Sequence, residues 1–180
     1  MRIISGSARG RKLRVPESGT RPIPDRAKTA IFNMILSLRM AEDSPGLEGL
    51  RVLDLFAGSG SFGLECLSRG AAEVVFVEQN RAAAKVLQQN LDTIEAADRA
   101  QVLVRDAHAV IASLGADIHF DLAFCDPPYA DDPWLELLPL IPADLLVAHT
   151  EGDLQLTPEW EEVRRRSYGR PQVVLARRVG

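Results

Sequence analysis

Cysteine is nearly missing from this sequence: Cys66 and Cys125 are the only two in 180 residues, and both lie in apolar segments. Two such residues make no disulfide framework, so a reducing compartment is expected, with both thiols acting as small buried hydrophobes. Histidine is scarce too. His108, His119 and His149 lack ligand spacing, and no metal site is expected. No run of about 18 apolar residues occurs, which excludes a transmembrane helix. The first residues are polar and basic rather than the apolar core of a signal peptide. These absences point to a cytoplasmic protein with no membrane partner. Nothing in the pattern demands a dimer, so a monomer is expected.

What is present is a chain that is 46% apolar with a net charge of −4, enough to bury the core of one domain. The charge is unevenly spread. Residues 1–28 hold eight basic side chains against Glu17 and Asp25, a local charge of +6, so the other 152 residues carry −10. A basic arm on an acidic body is the footprint of a nucleic-acid binder, although a solvated tail gives the same composition.

The first twenty residues mix glycine and proline with short β-compatible pieces, "RIIS" and "KLRV", and read as a hairpin or an irregular arm. Ala27, Ala30, Ile31, Met34, Ile35 and Leu38 then share one face of a helix expected from Pro24 to Arg39. Beyond the linker at 42–49 the pattern alternates. Strands are expected at 51–56, 73–78, 101–106, 120–126 and 145–149, with helices at 61–69, 81–95 and 107–114. A further helix is expected from Pro133, capped by Asp132, to about Leu140. Residues 161–168 and 172–178 read as two strands with no helix between them. The order implies right-handed βαβ units, hence an α/β fold with a doubly wound, mostly parallel sheet and an antiparallel hairpin at one edge.

Ligands of such sheets bind beyond the carboxyl ends of the strands. "DLFAGSGSFGLE" (54–65) contains Gly58-x-Gly60-x-x-Gly63, the spacing of a dinucleotide fingerprint. Glu78 ends the following strand, where an acid accepts from ribose hydroxyls. Asp54 separates the two adenosine ligands that fit this pattern. A pyrophosphate on the turn at ~5–6 Å from its carboxylate would cost ~3 kcal/mol per like-charge contact at an effective dielectric of about 20. S-adenosylmethionine instead brings a sulfonium and an ammonium. Capping of the turn's amides is the plainer role for Asp54 and is compatible with this. Asp106 is either an acceptor for the adenine amine or the N-cap of the helix at 107–114, and both roles can hold.

"DPPY" (126–129) follows the strand "LAFC". Its prolines fix the backbone and remove two donors. The Asp126 carboxylate and Pro127 carbonyl are left as two acceptors suited to a planar amine, with Tyr129 as a stacking face. An ordinary proline turn is the alternative. Trp160 reads as a packing residue, and Trp134 as one close enough to this loop to shape its wall.

Together these motifs resemble the class I S-adenosylmethionine-dependent methyltransferases that act on exocyclic amines of nucleobases. "RIISGSARGRKLRVP", "RPIPDRAKTAIFNMI" and "FAGSGSFGLECLSRGA" resemble one branch closely, the bacterial 16S rRNA guanine-N2 methyltransferases. The resemblance implies a seven-stranded sheet, S-adenosylmethionine as cofactor, and methylation of one guanine of 16S rRNA at N2, on free rRNA or in an assembling small ribosomal subunit. It implies cofactor contacts at Gly58, Ser59, Gly60 and Glu78 and, by strand-end position, at Asp106, and an amine site at Asp126, Pro127, Pro128 and Tyr129; Asp54 and Phe56 of the same turn complete the expected cofactor contacts. The basic residues Arg9, Arg11, Lys12, Arg14, Arg21 and Arg26 become RNA-binding candidates, positioning rather than specifying the target. Residues 1–45 would form the RNA-contacting extension and 46–180 the methyltransferase domain. The helix start reads Pro24-Asp25-Arg26 where the family favours Thr-Asp-Arg, and Lys28 stands where Arg is common. An adenine-N6 methyltransferase and a non-catalytic rRNA-binding assembly factor are the competing readings.

Overall fold

The computed structural model describes residues 1–16, 24–115, 117–128 and 133–179. The central strands are β1 (Arg51–Leu55), β2 (Glu73–Val77), β3 (Ala100–Leu103), β4 (Phe120–Cys125) and β5 (Ala143–Thr150). The chain ends in β6 (Trp160–Ser167) and β7 (Gln172–Arg178). The sheet has seven strands in the order β3-β2-β1-β4-β5-β7-β6. β1 to β5 pair in parallel; β7 runs antiparallel to both β5 and β6. The last strand in sequence thus inserts beside β5, and β6 becomes the edge. This is the doubly wound α/β sheet with an antiparallel edge hairpin expected from the pattern.

Strands such as "EVVFV" read as unbroken apolar runs because both faces of a parallel sheet are covered. One face is covered by α1 (Asp25–Ala41), α2 (Ser61–Ser68) and α3 (Arg81–Thr93), the other by α4 (Ala107–Ser113) and α5 (Trp134–Leu137). A trio of rings joins α1, α2 and β4. Phe62 stacks on Phe124 at 4.6 Å, and Phe32 lies 5.8 Å from Phe124. Gly63 is required here, since a Cβ would come within 2.2 Å of the Phe76 ring on β2.

Most boundaries shift by a residue or two, and two shifts bear on the site. β3 stops at Leu103, so Asp106 is the N-cap of α4 rather than the end of the strand. The helix expected to run from Pro133 to about Leu140 is a single α turn, Trp134–Leu137, followed by the 3-10 turn Leu138–Leu140. Its N-cap is Pro133; Asp132 lies outside the described residues. Pro139 cannot donate in an α ladder, which is why the second half tightens.

Residues 1–16 are not a loose tail. A single antiparallel bridge joins Arg2 to Lys12. Ile3, Ala8 and Leu13 are buried in the core they share with α1 and α2, while Lys12 and Arg14 on either side of Leu13 stay exposed. One buried carboxylate anchors the arm: Glu65 on α2 accepts from the Ile4 and Ser5 amides, both at 2.9 Å. It also pairs with Arg69 at 2.8 Å and Lys28 at 3.5 Å. Lys28 in turn donates to the Arg2 carbonyl. Counting Lys28 with the basic surface of the arm is therefore wrong; it is fully buried, and desolvation pulls its ammonium below the ordinary range despite Glu65.

Candidate active site at the carboxyl edge of the sheet

β1 ends at Leu55, and the next residues turn sharply. Phe56 has φ +57, Gly58 +55 and Gly60 +86. For Phe56, an aromatic side chain in the left-handed region, this is a strained conformation of the kind that clusters at binding sites. Gly60 is the N-cap of α2 and has no side chain to cap with. Asp54 supplies the missing acceptor from the strand: its Oδ2 accepts from Gly63 N–H at 2.8 Å. Asp54 is only 2% exposed. Burial pushes its carboxyl up to about 8, the Gly63 bond opposes this, and the charges of Asp126 and Glu78 add to it.

Glu78, one residue past β2, reaches across to the same turn. One oxygen accepts from Gly58 N–H and the other from Asn80 N–H, both at 2.7 Å. A carboxylate has about four lone-pair sites, so each oxygen retains one. Asn90 on α3 holds the turn from behind by donating to the Ser59 carbonyl, and it also bonds both backbone groups of Arg14. The basic arm is thereby tied to the glycine turn through one amide. Asp106 caps α4 by accepting from Ala109 N–H at 2.9 Å and is exposed.

The residues present fit an adenosyl sulfonium cofactor. Burial keeps the Asp54 carboxyl protonated at neutral pH, so a nearby cation would favour its ionised form, whereas a pyrophosphate would push it further up. Glu78 keeps acceptors for paired hydroxyls. The Ser61 hydroxyl, at the first position of α2, is buried with no hydrogen-bond partner among the described residues, a donor left for a ligand.

The amine motif stands next to this turn because β4 pairs with β1. Asp126 is half-buried, Pro127 buried and Pro128 exposed; Tyr129 lies outside the described residues. Asp126 Oδ1 is 2.7 Å from His149 Nδ1. A carboxylate only accepts, so with Asp126 ionised the ring nitrogen donates. His149 is 7% exposed. Setting it aside as an isolated histidine missed a residue of the site. The register explains the meeting: Cys125 is level with Ala148 across β4 and β5, which puts the next residue of each strand side by side. The sign available in the sequence was a histidine at the end of the strand following DPPY.

Beyond the motif lies a cavity of about 380 Å³, walled by Pro127, Pro128, Trp134, Leu135 and the 149–155 segment. Trp134 thus forms part of the wall of this site. Trp160 packs elsewhere, donating to the Leu138 carbonyl beneath the Arg178 guanidinium. Cys125 and Cys66 are buried, and desolvation raises both thiols well above the ordinary range, which leaves them inert. Among the described residues no group of three or more His, Cys, Asp or Glu is arranged to hold a metal.

The RNA-binding candidates are divided. Arg9, Arg11, Lys12, Arg14 and Arg26 are exposed; Arg21 lies outside the described residues. Arg11 is paired with Glu95 at 2.9 Å and donates to the Thr93 carbonyl.

Comparison with known proteins agrees with this fold. Ribosomal RNA small subunit methyltransferase D of Haemophilus influenzae is 35% identical over 94% of this chain and 89% of its own length. The structure of a hypothetical protein from Thermus thermophilus is 36% identical, with a TM-score of 0.80 over 97% of this chain and 98% of that one. A methyltransferase solved with SAH shares the fold at 11% identity, with a TM-score of 0.66 over 83% of this chain and 49% of that one. The model of one family, described as Conserved hypothetical protein 95, matches residues 1–177, and this chain, with its methyltransferase fold, belongs to that family.

Proposed function

We propose that this protein is an S-adenosylmethionine-dependent methyltransferase that modifies the exocyclic N2 amine of a guanine in small-subunit rRNA. The observation that carries the reading is the acceptor pair of Asp126 and Pro127, set at the edge of the cavity and next to the glycine turn. The relatives named as rRNA methyltransferases support the substrate class.

S-adenosylmethionine, when bound, supplies a methyl group on a sulfonium. Everything else falls to the chain. Glu78 and Asp106 would offer acceptors for the adenosine, the Phe56–Gly60 turn would bring backbone close to it, and Asp54 would lie beside the cationic end. An exocyclic amine is a poor nucleophile because its lone pair is delocalised into the ring. The Asp126 carboxylate and Pro127 carbonyl accept its two N–H bonds, turning the lone pair toward the incoming methyl. On transfer the amine would lose one proton, which Asp126 would accept and pass to water. His149 holds one Asp126 oxygen and so fixes the other toward the amine. The rate comes from orientation and electrostatics. The base must leave its stack to reach Asp126, and the cavity is where it is received.

The test is methylation of rRNA from a strain lacking the enzyme, followed by mass analysis of the nucleosides. N2-methylguanosine is expected, and Asp126→Ala abolishes it while cofactor binding persists. N6-methyladenosine would replace the guanine assignment. No transfer and no heat on titration with S-adenosylmethionine would leave only a binding factor.

A further inference from the structure

The β6–β7 hairpin carries six arginines: Arg164, Arg165, Arg166, Arg170, Arg177 and Arg178. Three have structural partners. Arg165 binds Glu162, Asp153, Gln172 and the Leu154 carbonyl. Arg177 pairs with Glu42. Arg178 lies over Trp160 and donates to the Ile141 carbonyl. Arg164, Arg166 and Arg170 are exposed, and none has an ion pair or side-chain hydrogen bond among the described residues. On a body that is acidic outside its first 28 residues, three unneutralised guanidiniums on one hairpin need a reason.

Their position supplies one. Arg166 is level with Val173 on β7, Val173 with His149 on β5, and His149 with Asp126. At about 4.8 Å per strand, Arg166 stands about 15 Å from the amine site, at the same height in the sheet. Arg164 and Arg166 face the same side as their partners Leu175 and Val173, the side α1 covers. α1 packs against β7 and carries exposed Arg26 in its first turn. Arg170 sits in the turn after β6, beyond the carboxyl edge of the sheet. Arg165 points the other way and fastens the cavity rim at Asp153 and Leu154 to the hairpin.

We infer that Arg164, Arg166 and Arg170 bind phosphates of the RNA strand flanking the target base, a contact surface separate from the N-terminal arm. This rests on the rRNA reading above. Basic residues also protect edge strands from pairing with other chains. The two roles separate on charge reversal, because glutamate protects an edge equally well but repels phosphate.

The experiment compares wild type with Arg164→Glu/Arg166→Glu/Arg170→Glu, measuring KM for 16S rRNA, naked and in small subunits from a strain lacking the enzyme, the salt dependence of binding and S-adenosylmethionine affinity. KM is expected to rise at least tenfold with cofactor affinity unchanged. The log–log salt slope is expected to fall by about 2, near 0.7 per lost single-strand phosphate contact. Should the triple variant not fold, Arg170→Glu in the turn is expected to lose about 0.7 of slope alone. A folded variant with unchanged KM and slope on naked rRNA overturns the inference, and a protein partner at this hairpin would give that result. A wild-type enzyme that neither binds nor methylates rRNA, whether free or in small subunits from a strain lacking the enzyme, overturns the functional reading along with it.

Discussion

Asp54 gives the sharpest test of the cofactor site. Its carboxyl titrates at about 8 against an ordinary 3.8, chiefly because it is buried. The folded chain therefore holds a proton that the unfolded chain releases in this range. The stability this proton confers is complete below the ordinary value and is lost as pH rises through about 8, on the order of 5 kcal/mol in all. A sulfonium about 5.5 Å away would favour the carboxylate by ~3 kcal/mol at an effective dielectric of about 20, lowering its pKa by about two units. Affinity for S-adenosylmethionine should then rise roughly tenfold between pH 7 and 9, with about 0.8 proton released per cofactor at pH 7. Calorimetry in buffers of different ionisation heat measures both quantities. Asp54→Asn keeps an acceptor for Gly63 N–H but carries no charge, so its affinity is expected to be flat with pH. SAH, which lacks the sulfonium, is expected to show a shallower dependence in wild type. Flat wild-type affinity for S-adenosylmethionine with no proton release would refute the pairing of this carboxylate with a cation.

Other expectations follow from single contacts. His149→Ala should lower kcat by up to about 100-fold with cofactor affinity unchanged, since a small misplacement of Asp126 is enough. His149→Asn restores a donor near Asp126 and should recover part of that loss; equal rates in the two variants would remove the positioning role. Glu65→Ala leaves Lys28 buried without its carboxylate and the Ile4 and Ser5 amides without an acceptor. Urea unfolding should show a loss of about 3–5 kcal/mol. Gly60→Ala forces a side chain to φ +86 and sets its Cβ 2.3 Å from Leu87 Cδ1. It should cost about 1–3 kcal/mol in the same assay, and Leu87→Ala should relieve only the steric part.

Much of this molecule is legible in its residue order. The alternation of apolar runs with helical spacing gives the parallel sheet, because strands buried on both faces leave no polar positions to confuse the period. Asp54, the glycine turn, Glu78 and DPPY are each set by local chemistry: backbone that only glycine or strain permits, and acids at strand ends. Those marks survive without knowledge of their neighbours. What the sequence could not disclose depends on pairs far apart in the chain. Lys28 looks like one more basic residue until α2 brings Glu65 to it. His149 looks isolated until the β4–β5 register sets it against Asp126. The hairpin arginines look alike until the insertion of β7 beside β5 engages three of them and leaves three exposed at the edge. Charge and hydropathy are properties of single residues, whereas desolvation and pairing are properties of contacts, and only the tertiary fold decides which contacts exist.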